Sequence, residues 1–460
     1  MRYISTRGQA PIVDFKGALL AGLASDGGLY VPESLPQFST AQIAQMAQLS
    51  YQQLAFTLLK PFVGNSFSDA QLQSCIDKAY GSFRHAAIAP LTQLGPRHFV
   101  LELFHGPTLA FKDFALQLLG HLMDEALRES KQRAVVLGAT SGDTGSAAIA
   151  GCRGRPNLDI VILYPKGRTS AVQRRQMTTT GEANVHAMEV DGTFDDCQDL
   201  VKALFADQAL RAGTNLLAVN SINWVRVLAQ IVYYFYAALR LGAPATQVNF
   251  CVPTGNFGDI FAGYIARQMG LPMGKLIIAT NKNDILTRAV ATGDYTITGV
   301  DATISPSMDI QIASNFERLL FDLYGRDGAR ISQLMADFRA TRALTLSPQA
   351  HAAFAAMFAA HAVDDATTLA TISATRDATG YVLDPHTAVG VAASQALALE
   401  GITVTLATAH PAKFPEAVTQ ATGHHTALPP HMADLFEREE HITPLANDAA
   451  TLVHYIQALG

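Results

Sequence analysis

Cysteine is scarce in this chain. Only Cys75, Cys152, Cys197 and Cys251 occur among 460 residues, far apart and without paired spacing. That argues against a disulfide framework and a cysteine-based zinc site, and it fits a reducing cytoplasm. Charge is also sparse: Asp, Glu, Lys and Arg make up 16 % of the chain, with a net charge of −6. This is too apolar for disorder, and it has the wrong sign for a nucleic-acid footprint, so no nucleic-acid partner is expected. Long apolar runs are missing as well. The longest, Val227 to Leu239, is too short to cross a bilayer and contains Gln230, so it reads as a buried helix and no membrane partner is expected. The opening MRYISTRGQA has no apolar core and does not read as a signal peptide. Histidines such as His424 and His425 lack metal-ligand spacing, so no metal is expected.

Apolar residues, in contrast, make up 49 % of the chain, enough for large cores and two or three domains. Gly27, Gly28, Pro32 and Pro36 mark loops before about residue 37. Ser39 or Thr40 then starts one helix through Ile43, Met46 and Leu49, and Ser68 another through Leu72, Ile76 and Tyr80. Residues 1–95 therefore read as a mostly helical N-terminal unit. From Val100 onward, strand-like runs alternate with helix-like runs, the pattern of a doubly wound parallel sheet. Strands are expected at Ala134–Leu137, Ile160–Leu163, Leu216–Val219, Val248–Val252, Leu276–Ala279 and Ile402–Leu406. Several of them lead into polar, Gly-rich turns that open helices, and ligands bind at that carboxyl edge in open α/β sheets. The Ala-rich stretch Ser332 to Ser373, with Pro348 as a helix start, reads as helical packing.

The chemistry concentrates in a few turns. In HGPTLAFKDF, from His105 to Phe114, Lys112 precedes Leu116, Leu119, Leu122, Met123, Ala126 and Leu127 at helical spacing. A lysine at a strand–helix junction between Phe111 and Phe114 is partly desolvated, which frees its amine to attack a carbonyl. GNFGD, the stretch Gly255, Asn256, Phe257, Gly258 and Asp259, lies between a strand and a helix. It suits either a tight turn or a cradle in which backbone N–H groups face a phosphate. In TSGDTG, the residues Thr140, Ser141, Gly142, Asp143 and Thr144 cluster hydroxyls and glycine before a helix. Such a cluster suits a helix cap and a carboxylate seat equally. In TAHPAKF, Thr408 stands at a strand end, while His410 and Lys413 either brace the turn or touch substrate. Lys166 and Arg168 in PKGRTS, with Asn220, Ser221, Asn223 and Arg226 in NSINWVR, are cations and amides suited to a second phosphate. Arg226, beside Trp224 at the mouth of an apolar helix, is the first choice among them.

HGPT-x-AFKD, SGDTG, GNFGD and TAHPAKF, in that order, with YISTRG near the start, resemble threonine synthases of the longer form, with an extended N-terminal unit. The resemblance implies an α/β enzyme of fold type II, tryptophan synthase β-like, dependent on pyridoxal 5'-phosphate. The expected layout is the 1–95 unit and then a catalytic region over 96–460. That region holds two interleaved, doubly wound α/β domains, the smaller spanning roughly 115–225. By the same resemblance Lys112 bonds the cofactor and serves as base at the substrate Cα, and the Gly255–Asp259 turn holds the cofactor phosphate. Thr408, with Thr405 as a competing strand hydroxyl, faces the pyridine nitrogen; the Thr140–Thr144 loop grips the substrate carboxylate. The implied reaction turns O-phospho-L-homoserine and water into L-threonine and phosphate, with a closing small domain that excludes stray water. Ser307 to Asp309 and DPHT, from Asp384 to Thr387, also fit the family pattern, without a role derivable from sequence. Another fold type II enzyme, such as a threonine or serine dehydratase, and a non-catalytic phospho-amino-acid binding protein are the rival readings; a cytoplasmic monomer or homodimer is expected.

Overall fold

The computed structural model describes residues 1–459. The N-terminal part pairs two short strands, Tyr3–Ser5 and Tyr30–Pro32, antiparallel. Around them lie helices Phe15–Ala21, Thr40–Met46, Tyr51–Val63 and Asp69–Tyr80. Three of these begin at a serine with glutamine three residues on. In each, Ser39, Ser50 or Ser68 and its Gln42, Gln53 or Gln71 cap each other's backbone. Buried polar contacts tie this part to the rest of the chain. Arg7 forks onto Glu317, with its Nη2 2.9 Å from Oε2, and the fully buried Arg318 donates to the Tyr30 carbonyl.

The remainder is built on two sheets. The six-stranded one runs Phe358–Ala362, Met273–Thr280, Val248–Pro253, Ile402–Ala407, His98–Glu102 and Leu91–Gly95. Its strands are parallel except the last pair. The five-stranded one runs Thr443–Leu445, Val185–Val190, Leu158–Pro165, Ala134–Ala139 and Leu216–Leu217, all parallel. Helix Trp224–Arg240 is buried along nearly its whole length and packs against helices of both the N-terminal part and the larger sheet. No helix among the described residues is long and apolar enough to cross a membrane.

Three features differ from the sequence-based expectation. Phe358–Ala362 is a strand inside a stretch expected to be helical: its Ala-rich run carries no β signal, and only pairing with Leu276–Thr280 selects the extended form. Leu91–Gly95, placed in the N-terminal unit by the boundary at residue 95, pairs with His98–Glu102 in the larger sheet. The smaller sheet draws its edge strand from Thr443–Leu445, and Leu452 and Ile456 of helix Ala449–Gln457 join its core. The smaller sheet therefore reaches well beyond residues 115–225.

Candidate active site

Turns from both sheets and from helix Trp224–Arg240 converge on a cavity of about 750 Å³, its mouth included. Lys112 stands at the first position of helix Lys112–Ser130, which has no side-chain cap. Its Nζ lies 4.9 Å from the centre of the Phe111 ring, and the side chain is 11 % exposed. Burial lowers the Lys112 pKa, and the nearby Lys413 and Arg226 push the same way against the pull of Asp143. The positive end of the helix adds to that pressure on an ammonium. The local frame is rigid: Asp113, fully buried, accepts from both the backbone N–H and the hydroxyl of Thr108, each at 2.7 Å.

Opposite lies the turn after strand Val248–Pro253. Helix Gly258–Gln268 has no side-chain cap, so its first N–H groups are open to an anion. The left-handed residue of this turn is Phe257, with φ of 65°, held between buried rings such as Phe316 at 5.3 Å. Gly258 has ordinary φ. Gly255 is the tighter glycine, because a Cβ there would sit 2.7 Å from the Ser307 carbonyl oxygen. Asn315 fastens the turn from outside: its Nδ2 donates at 3.1 Å to the carbonyls of Asn256 and Ser221. Asp259 lies deeper. Tyr233 and Tyr234 donate to its Oδ1, its Oδ2 has no partner among the described residues, and burial pushes its pKa up to about 6.

Thr408 follows strand Ile402–Ala407 and lines the cavity. The DPHT stretch fixes it, a role the sequence did not reveal. Asp384 accepts from the hydroxyl of Thr387, and Thr387 Oγ1 in turn accepts the Thr408 N–H at 3.2 Å. Asp384 also accepts from His386 Nδ1 at 2.9 Å, and His386 Nε2 accepts the Ser307 N–H at 3.2 Å. One buried carboxylate thus anchors both Thr408 and the strand of backbone against Gly255.

The smaller sheet contributes Asp143 and Thr144 to the lining. Asp143 Oδ1 accepts from Lys413 Nζ and Gln173 Nε2, both at 2.8 Å, and Oδ2 faces Lys112 Nζ at 3.4 Å. Burial alone would raise its pKa; the two lysines outweigh it and hold the carboxyl well below the usual range. Arg226 and Ser221 close another side. Arg226 is 7 % exposed, its Nη1 donates to the Val219 carbonyl at 3.1 Å, and its Nε has no partner among the described residues. Burial lowers its pKa to about 10, so the guanidinium remains charged at neutral pH.

Several expected residues are not brought to the cavity. Thr140 spends its hydroxyl on the loop, accepting the N–H groups of Gly142 and Gly145 at 3.0 and 2.8 Å. Asn223 is a buried helix cap: its Oδ1 accepts the Val225 N–H and its Nδ2 donates to the Leu19 carbonyl at 2.9 Å. Ser141, Asn220, Lys166 and Arg168 are exposed or half-exposed and outside the lining. A basic turn after a strand suggests a turn toward the site, but the turn carrying Lys166 and Arg168 lies at the solvent side instead. Lys413, expected to brace its turn or touch substrate, is fully buried and ion-paired to Asp143. The only cues for it are a lone lysine between Ala412 and Phe414 and, far away in sequence, an aspartate.

The donors present fit a phosphorylated aldehyde: a desolvated lysine, open N–H groups at a glycine turn, and a threonine held at a strand end. Residues 87–408 match the family model described as pyridoxal-phosphate dependent enzyme, and the chain is an enzyme of that class, with pyridoxal 5'-phosphate as its cofactor. The flanks narrow this further. Residues 2–80 match a model described as threonine synthase N terminus, and residues 387–456 one described as threonine synthase, C-terminal. Threonine synthase of Pseudomonas aeruginosa is 55 % identical, covering 100 % of this chain and 99 % of that one. The crystal structure of PLP-bound threonine synthase from Brucella melitensis superposes with a TM-score of 0.98 at 51 % identity, covering 100 % of this chain and 99 % of that one. That of threonine synthase from yeast gives 0.94 at 39 %, covering 99 % and 98 %. The chain belongs to the threonine synthase family, and its fold is the fold type II α/β architecture expected from the motifs. Neither the dehydratase nor the non-catalytic reading is favoured by these relatives.

Proposed function

We propose that the substrate is O-phospho-L-homoserine, which with water yields L-threonine and phosphate, and that Arg226 seats the substrate phosphate. The observation that carries this reading is the buried guanidinium of Arg226, charged and without a carboxylate partner among the described residues, on the wall of the Lys112 cavity. Ser221 adds a hydroxyl on the same side. The cofactor phosphate has its own seat at the Gly255–Asp259 turn, where the backbone N–H groups suffice, so Arg226 is left for the second phosphate. When bound, pyridoxal phosphate supplies an electron sink for charge developing at the substrate Cα. Lys112 would hold the cofactor, and its free Nζ would take the proton from the substrate Cα and return protons afterwards. Thr408, oriented through Thr387, would offer the cofactor ring a neutral hydroxyl. Asp143 and Thr144, the part of this loop that lines the cavity, bind the substrate carboxylate through backbone N–H groups and the Thr144 hydroxyl. Four buried free thiols suit a cytoplasmic setting, and the assembly is a monomer or homodimer.

Arg226→Ala tests this assignment. It should lower kcat/KM for phosphohomoserine by about 2–4 kcal/mol, the range for removing one partner of a buried charge pair. Cofactor affinity, titrated on the same preparation, should stay near wild type. Loss of cofactor with unchanged discrimination between phosphohomoserine and homoserine would assign Arg226 to the cofactor phosphate instead.

A further inference from the structure

Two lysines converge on one buried carboxylate, and they do not share it equally. Lys413 Nζ is 2.8 Å from Asp143 Oδ1, whereas Lys112 Nζ is 3.4 Å from Oδ2, at the far end of hydrogen-bonding range. Lys413 is fully buried and also donates to the Thr108 carbonyl at 2.7 Å. That carbonyl belongs to the residue clasped by Asp113, so the ammonium of Lys413 is fixed between two oxygens on well-held backbone. Arg226 brings a third cation toward Lys112. The remaining groups facing Lys112 are the Phe111 ring, Asp259 with one oxygen held by two tyrosine hydroxyls, and His386, whose Nε2 accepts a backbone N–H. One carboxylate at contact distance cannot neutralise two ammonium groups and a guanidinium in a desolvated cavity. The group that most readily sheds its charge is the one with the poorest counter-ion contact.

We propose that Lys413 is a positioning residue for Lys112: it claims the Asp143 carboxylate and so leaves the Lys112 amine without a full counter-ion and free of its proton. This deepens the reading of Lys112 as the cofactor lysine and rests on it. The direction of the Lys112 pKa agrees, with Lys413 among the groups that lower it. It also accounts for an aspartate in a loop assigned to an anionic substrate, because Lys413 cancels its charge before the substrate arrives.

The test reads cofactor capture rather than turnover. Full-length protein freed of cofactor is mixed with pyridoxal 5'-phosphate across a pH series, and the rise of the visible absorption band is followed. Capture joins Nζ to the aldehyde carbon as a C=N bond and releases one water, the ammonium proton having gone to solvent; only the neutral amine reacts. Removing Lys413 hands Asp143 wholly to Lys112 and favours its ammonium. Lys413→Met should therefore move the midpoint of the pH profile up by a unit or more, with capture at pH 7 about tenfold slower and recovering at high pH. Asp143→Asn leaves Lys112 facing Lys413 and Arg226 alone, so its midpoint should move down. A purely structural Lys413 would lower the amplitude in both variants without opposite shifts, and that result overturns the proposal. If Lys413→Met does not fold, Asp143→Asn decides, and an unmoved or raised midpoint sinks the idea. Lys112→Ala separates the two readings. A band that persists there refutes Lys112 as the cofactor lysine, whereas a band that needs Lys112 while the Lys413→Met midpoint stays fixed refutes only the role of Lys413.

Discussion

The wall of the cavity built by the six-stranded sheet is fastened from behind at Thr408, at Ser307 and at the glycine turn, whereas the wall from the five-stranded sheet meets it through a few side chains. On the first wall, Asp384 anchors Thr387 and His386, which hold Thr408 and Ser307. Asn315 ties the glycine turn to the loop before helix Trp224–Arg240. On the second, Asp143 reaches Lys413 and Lys112, and Gln176 reaches the Thr108 carbonyl at 3.1 Å, while Ser141 of the same loop lies exposed. The contrast fits the proposed division of labour, with the cofactor on the first wall and the substrate on the second. A cofactor that stays needs a wall that is over-determined; a substrate that comes and goes needs a wall whose contacts can be exchanged.

The sharpest variant on the fastened wall is Gly255→Ala. Its new Cβ would press 2.7 Å from the Ser307 oxygen, a contact that cannot relax while His386 holds the Ser307 N–H. Cofactor affinity should fall by about 1–3 kcal/mol, the usual cost of overpacking, as read by cofactor titration. Gly258→Val, whose Cβ would meet the Asn315 side-chain amide at 3.2 Å and the Ser221 carbonyl oxygen at 3.9 Å, should cost less. Equal losses in the two would mean that the turn yields as a whole. On the exchangeable wall, Thr144→Val should raise KM for substrate by about 0.5–1.5 kcal/mol, the value of one hydrogen bond, with cofactor affinity unchanged. A fall in cofactor affinity in this variant would erase the distinction between the two walls.

What is legible in the sequence divides along local and distant contacts. Strands such as Val248–Pro253 and Ile402–Ala407, and the helix starts at Ser39 and Ser68, announce themselves locally. So does Lys112, because its turn, its flanking phenylalanines and its helix lie within one short stretch. Phe358–Ala362 does not, since only its neighbour in the sheet makes it a strand. Lys413 and Asn315 do not either, because their partners lie far off in the chain: 270 positions for Lys413 and Asp143, by subtraction of their numbers. Lys166 and Arg168 mislead, since a basic turn looks the same in sequence whether it faces a cavity or water. Asn223 and Thr140 show the converse, with cap-forming residues spending their polar atoms on the backbone.

That the cofactor is bonded to Lys112 is tested most directly by borohydride reduction of the holoenzyme with subsequent peptide mapping. Reduction should place a stable pyridoxyl group on the peptide carrying Lys112 and nowhere else, and Lys112→Ala should lose both the tag and turnover by orders of magnitude. A tag on Lys413, the other lysine at the Asp143 carboxylate, or on any other lysine would contradict that claim.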